Sequence, residues 1–268
     1  MMIRSLAYDD RRLRDIGGEP LLATMVESAA RCCGMGLVYE FWGVYEGRRD
    51  RVPKGFILQK GHALWATALC PEAVPEIVDF LRWRQEGWVM LCPSLSAAWR
   101  QETGITGLSL AVMALSDTVS LPESHLPEAA YCPDTATAVA DCNLAVVELT
   151  PAQYETAVVN LHLAERRHVG YTVTLRQDGR AVSAAAVTDC GTRYGQISYV
   201  ATLPEYEGQG MGRAVVYRCA EWLRERGRTP LIACETHRES FYAGLGFEQV
   251  SCVTIFEAGQ AKKRNEEA

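Results

Sequence analysis

Glu207-Gly208-Gln209-Gly210-Met211-Gly212-Arg213 follows an apolar run, Ile197 to Leu203, and leads into an amphipathic pattern with helical spacing. That order predicts a strand, a glycine turn and the start of a helix. Glycine on alternate positions lets bare backbone approach a ligand, and the first N–H groups of a helix have no partner within it. Because the N-terminal end of a helix carries partial positive charge, the natural occupant of such a turn is a phosphate. Glycine-rich turns also arise where a chain only needs to reverse sharply, so the flanks must decide between the two.

The chain has 268 residues, 48% of them hydrophobic and 22% charged, which is the composition of a globular protein with room for one large domain or two small ones. The net charge is −6 and no basic stripe is visible, which argues against binding to nucleic acid or an anionic membrane surface and favours a small-molecule partner. Of the ten cysteines only Cys32 and Cys33 are close in sequence, there is no Cys-x-x-Cys, and most of the others sit in apolar runs. Buried reduced thiols are expected, and His62 and His168 have no metal-ligand spacing, so no metal is expected. The first residues are charged, and no apolar run approaches the length that spans a bilayer, so a cytoplasmic protein is expected.

Along the first half, helical spacing from Glu19 to Cys33 stops at Gly34, and strands are expected at Val38 to Glu46, Gly55 to Gln59 and His62 to Leu69. Pro75 opens a helix, Trp88 to Cys92 is a strand, Ser94 is placed to cap a helix to Thr103, and Leu108 to Leu115 is another strand. From Asp117 to about Asn143 the composition turns to Pro, Ser, Thr, Ala and Asp, which reads as a linker. The second half restarts with a strand at Leu144 to Leu149. Thr150-Pro151-Ala152-Gln153 then has capping-box spacing, and Asp178-Gly179 marks a hairpin. Beyond the glycine turn come a helix ending near Gly227, a strand at Leu231 to Cys234, a short helix from Arg238 to Leu245 and a closing strand from Phe247 to Phe256.

The halves repeat one another. Trp99 to Ile105 and Phe241 to Phe247 share the pattern aromatic, four residues, glycine, apolar, and Leu69-Cys70-Pro71-Glu72 echoes Leu203-Pro204-Glu205. Where the second copy has its glycines, the first runs Ala73-Val74-Pro75-Glu76, so the first copy should hold no phosphate there.

The apolar strand, Pro204-Glu205-Tyr206, the glycine turn and the later Phe241-Tyr242-Ala243-Gly244-Leu245-Gly246-Phe247 together resemble the GNAT superfamily of acyl-CoA-dependent N-acyltransferases, over roughly Leu144 to Glu257. The resemblance implies an α/β fold (an α+β mixed sheet) made of two GNAT-like lobes in tandem, the C-terminal one intact. The expected organisation is a degenerate lobe at 1–117, a linker at 118–143, an N-acetyltransferase domain at 144–258 and a mobile tail at 259–268. It also implies acetyl-CoA as cofactor, with Val200, Ala201 and Thr202 facing the pantetheine and Gly208, Gln209, Gly210, Met211, Gly212 and Arg213 cradling the pyrophosphate. Tyr242 matches the tyrosine that protonates the departing thiolate, and the first half has Arg100 at that place. One departure stands out: the residue before the first glycine, usually Gln or Arg in that family, is Glu207.

The general base is less defined. Glu235 is the first candidate, and His237, Asp189 and a water relayed by a backbone carbonyl are left open beside it. The implied reaction is direct transfer of acetyl from acetyl-CoA to a primary amine of a small molecule or peptide, and the acidic balance favours a cationic acceptor. A non-catalytic coenzyme A-binding or sensing protein is the alternative, and an antibiotic-modifying acetyltransferase would differ only in its acceptor. A homodimer is a further expectation from the resemblance, although a duplicated chain already contains a second lobe.

Overall fold

The computed structural model describes residues 1–33, 39–84, 87–121, 131–132, 136–147 and 149–257. Gly34 and the charged tail from Lys262 therefore lie outside the described residues. The chain divides into two compact units. Among the described residues, the first holds those of Met1–Val112, Cys234–Glu239 and 249–257, and the second those of Met113–Ala233 and Ser240–Glu248.

In the first unit, β1 (Met2–Leu6) is followed by α1 (Pro20–Cys32), β2 (Tyr39–Tyr45), β3 (Gly55–Lys60), β4 (Ala63–Ala68), α2 (Val74–Arg84), β5 (Trp88–Leu91) and α3 (Pro93–Thr103), and β6 (Leu108–Leu115) begins there. Strands β1 to β4 pair in sequence order, each antiparallel to the next, and β4 then runs parallel to β5. Helix α1 starts where Pro20 takes the first position and the Glu19 carboxylate accepts the Leu22 N–H at 2.7 Å. The expected cap of α3 is displaced: Cys92 occupies the N-cap and Pro93 opens the helix, with Gly104 closing it in the left-handed region at φ 66°. The core is aromatic and aliphatic, with Phe41, Tyr45, Ile57, Leu81 and Trp99 sealed from solvent.

The second unit contains β7 (Tyr131–Cys132), α4 (Ala136–Leu144), α5 (Pro151–Arg166), β8 (Tyr171–Gln177), β9 (Arg180–Cys190), β10 (Tyr194–Thr202), α6 (Met211–Arg224) and β11 (Thr229–Cys234). Strands β7 to β10 are again successively antiparallel, and β10 is parallel to β11. Both units thus carry the same ladder, which is the structural form of the repeat read in the sequence. The capping box forms as the spacing requires: the Thr150 hydroxyl accepts the Gln153 N–H at 3.3 Å and the Gln153 carboxamide accepts the Thr150 N–H at 2.8 Å.

The sequence reading has no strand at β1 or at β7, which lies in the expected linker, and two further segments differ from it. Ala136 to Leu144 is helix inside the expected linker, because its alanines favour helix and Ala136, Val139, Ala140 and Asn143 recur on one buried face. The strand expected from Leu144 is instead the end of that helix, closed by the Val146 and Val147 N–H groups on the Asn143 carbonyl at 3.0 and 2.8 Å.

The chain ends with α7 (Thr236–Ala243) and β12 (Phe247–Glu257). From Gln249 the last strand counts with the first unit, where Thr254 to Glu257 pair antiparallel with Leu91 to Trp88 of β5. The sequence reading puts all of this strand in a domain at 144–258. Side chains fasten it: the Phe256 ring lies 6.4 Å from Trp99, and the Arg100 guanidinium sits 5.7 Å from the Phe256 ring and 3.4 Å from the Thr254 hydroxyl. In the first copy, then, the position matching Tyr242 holds a strand in place.

Candidate functional site

The second unit builds its site where β10 parts from β11. Their parallel pairing runs from Tyr194 opposite Thr229 to Ile197 opposite Ile232 and stops, although β10 continues to Thr202. Among the described residues, 198–202 therefore have no partner strand on that side, and Val200, Ala201 and Thr202 lie in this stretch. On the other side β10 pairs with β9 through two register shifts, and the second sets Ser198 opposite Ala186 and Ala201 opposite Ala184. Two residues, Tyr199 and Val200, thus stand against Ala185 alone, which makes a β-bulge, and Tyr199 takes φ 53°, rare for a side-chain-bearing residue. The end of the strand is tied to β9 by the Ser183 hydroxyl, which donates to the Ala201 carbonyl at 3.1 Å and lies 2.9 Å from the Thr202 hydroxyl.

After β10, Pro204–Tyr206 makes one 3-10 turn, and Glu207 to Gly210 lead into α6. Gly208 and Gly210 have φ 74° and 80°, with open space where a Cβ would stand. Gly210 is the N-cap and no side chain caps the helix. The Ala214 N–H closes the first turn on the Gly210 carbonyl at 3.1 Å, leaving the N–H groups of Met211, Gly212 and Arg213 at the open end. Such an end favours an anion. Glu207 and Arg213 are both exposed, and the Gln209 carboxamide donates to the Glu205 carbonyl at 3.2 Å. In the first unit the corresponding 3-10 turn, Pro71–Ala73, runs straight into α2 at Val74 with no residues between, so the whole turn is missing and not only its glycines.

The two motifs separated in sequence meet at Gly212, where an added Cβ would stand 3.1 Å from the Thr202 hydroxyl and 3.8 Å from the tip of the Phe241 ring. Tyr242 is 5% exposed, its ring edge-on to Phe241 at 5.0 Å and to Phe247 at 6.1 Å. Glu235 is exposed and lies 3.8 Å from the His237 ring nitrogen Nδ1, and His237 is exposed as well. Asp189, left open as a base, is in β9 opposite Gln196, and burial, with the Asp189 charge adding to it, raises the Tyr199 phenol above its ordinary range. Burial also raises the thiols of Cys219 and Cys234 and pushes Cys142 up to about 11, which keeps these sulfurs protonated and poor nucleophiles. Among the described residues no group of His, Cys, Asp and Glu could hold a metal ion.

Residues 139–247 match the model of the acetyltransferase (GNAT) family. Several solved structures share the architecture over nearly the whole chain. A tandem GNAT protein from the clavulanic acid biosynthesis pathway aligns at 16% identity and a TM-score of 0.60, covering 96% of this chain and 98% of its own. The chain has the tandem GNAT fold. A GNAT-family acetyltransferase from Colwellia psychrerythraea covers 96% of this chain and 99% of its own at 12% identity and a TM-score of 0.58. A GCN5-related N-acetyltransferase from Kribbella flavida covers 88% and 93% at 17% identity and a TM-score of 0.56. A comparison with curated proteins finds no match. The glycine turn, the parted strands and Tyr242 all fall within the matched GNAT domain. Asn143 and Tyr199, whose contact shapes β10, fall within it too. Neither is legible by residue type: Asn143 lies in a stretch whose composition reads as linker, and a left-handed tyrosine leaves no trace in the sequence. No helix among the described residues is long and apolar enough to cross a membrane.

Proposed function

We propose that this chain is an N-acetyltransferase that moves an acetyl group from acetyl-coenzyme A to a primary amine of a small molecule or peptide by direct attack. The observation carrying this reading is the parting of β10 from β11 in front of an uncapped helix end whose glycines leave room for phosphate. Backbone groups of Val200, Ala201 and Thr202 would take the pantetheine arm, and Gly208 to Arg213 the pyrophosphate. Bound acetyl-coenzyme A supplies a thioester carbon open to attack and a thiol leaving group.

Glu235, with His237 beside it, takes the proton that the amine must lose before it can attack, and Tyr242 gives a proton to the departing sulfur. A net charge of −6 supports a cationic acceptor, and an antibiotic amine is one chemical version of it.

A thiol-release assay with acetyl-coenzyme A and pooled primary amines tests the proposal. Turnover on at least one amine, cut about 10²-fold or more in Tyr242→Phe with coenzyme A binding retained, is the expected result. Binding without turnover on any amine would instead favour a coenzyme A sensor, the reading that the acidic Glu207 beside the turn would suit. Calorimetry that finds no binding of acetyl-coenzyme A would end both.

A further inference from the structure

The bulge in β10 has a side-chain partner outside the sheet. Asn143, 8% exposed near the end of α4, donates from its single amide nitrogen to the Val139 carbonyl at 3.1 Å and to the Tyr199 carbonyl at 2.8 Å. Both partners are carbonyl oxygens, so only the NH2 end of the carboxamide can face them, and its two hydrogens are both used. Tyr199 is the residue held at φ 53°, a conformation that favours glycine, and it stands where β10 has already left β11.

The first unit serves as an internal control. Its β4 pairs with β3 without a register shift from Gly55 opposite Ala68 to Lys60 opposite Ala63, and no residue of β4 has a positive φ. The copy that lacks the glycine turn thus also lacks the bulge.

We infer that Asn143 is a positioning residue that locks the Tyr199 bulge and so aims the edge of Val200 to Thr202 that β11 leaves open at the ligand of the glycine turn. A bulge bends its strand and increases the local twist. Releasing the Tyr199 carbonyl lets the residue relax toward ordinary strand geometry and turns the following residues relative to α6. The inference rests on the coenzyme A reading for its ligand but not for its geometry.

The test compares wild type, Asn143→Ala, Asn143→Asp, Tyr199→Gly and the double variant Asn143→Ala/Tyr199→Gly. It reads coenzyme A affinity by calorimetry and amide hydrogen exchange in peptides covering residues 195–203 of the ligand-free protein. Asn143→Ala is expected to weaken coenzyme A binding about tenfold and to speed exchange in that segment while α5 and β8 keep theirs. Asn143→Asp, which sets a carboxylate oxygen against two carbonyls, should do more damage than alanine. On the Tyr199→Gly background, where the left-handed conformation needs no lock, the alanine change should have little further effect.

Unchanged exchange and affinity in Asn143→Ala, or an equal loss on both backgrounds, would overturn the inference. If Asn143→Asp does not fold, the alanine pair decides by itself. A wild-type protein that binds no coenzyme A would sink the proposed function, and the exchange measurement would still decide the lock.

Discussion

Tyr242 combines deep burial with a polar tip, and its ring packs edge-on against Phe241 and Phe247. Tyr242→Phe keeps the ring packing, and steady-state kinetics should find turnover down by about 10²-fold or more. Glu207 is exposed beside the open end of α6. Glu207→Gln is expected to tighten coenzyme A binding about twofold to fivefold at low ionic strength, and calorimetry repeated in high salt should find most of that gain screened away.

Glu19 makes a third case, in the first unit. Burial raises its carboxyl from 4.5 to about 7, against the lowering effect of the Leu22 and Leu21 amides and the Ser251 hydroxyl. Since the folded value lies above the unfolded one, the stabilisation is fully present below pH 4.5 and is lost as pH rises through 7. The linked change is roughly 3 kcal/mol. Denaturant melts from pH 5 to 8 should show the loss, and Glu19→Gln should flatten it. Sequence alone picked out Tyr242 and Glu207 because their motif fixes their places. It could not pick out Glu19, whose behaviour comes from neighbours brought in by folding.

At the scale of elements, legibility followed periodicity. The strands of both ladders apart from their first, β1 and β7, and helices α1, α2, α5 and α6 are readable because apolar spacing and caps agree with what packing needs. Helix α4 was not, since a short alanine-rich segment among Pro, Thr and Asp looks like a linker until its buried face is seen. The bulge in β10 was hidden for a different reason: register is a property of two strands, and Tyr199 is an ordinary strand residue by type. The glycine turn was legible because glycine identity and backbone need coincide there. Gly210→Ala should cost roughly 1–2 kcal/mol for the left-handed conformation, seen as a lower thermal midpoint together with weaker coenzyme A binding. An alanine at Gly47, where the nearest atom to an added Cβ is 3.8 Å away and φ is not positive, should change neither.

For the whole molecule, the repeat was legible but the way the chain closes was not. Composition suggests a cut near residue 117, yet β5 finds its antiparallel partner in Thr254 to Glu257. A fragment ending at Asp117 should expose the β5 edge and the side of Trp99 that meets Phe256, and should aggregate when expressed by itself. Supplying residues 118–268 as a second chain should restore soluble protein, which size-exclusion chromatography would detect as a co-eluting pair. A soluble, cooperatively melting 1–117 fragment would contradict this account of the first unit. The same strand sets an order of events at the ribosome. Domains generally fold as they emerge, N-terminal first, but here the earlier-made unit must wait for residues 249–257 before its sheet is finished. A message cut short, or a nonsense codon late in the gene, would therefore damage the part of the protein translated first.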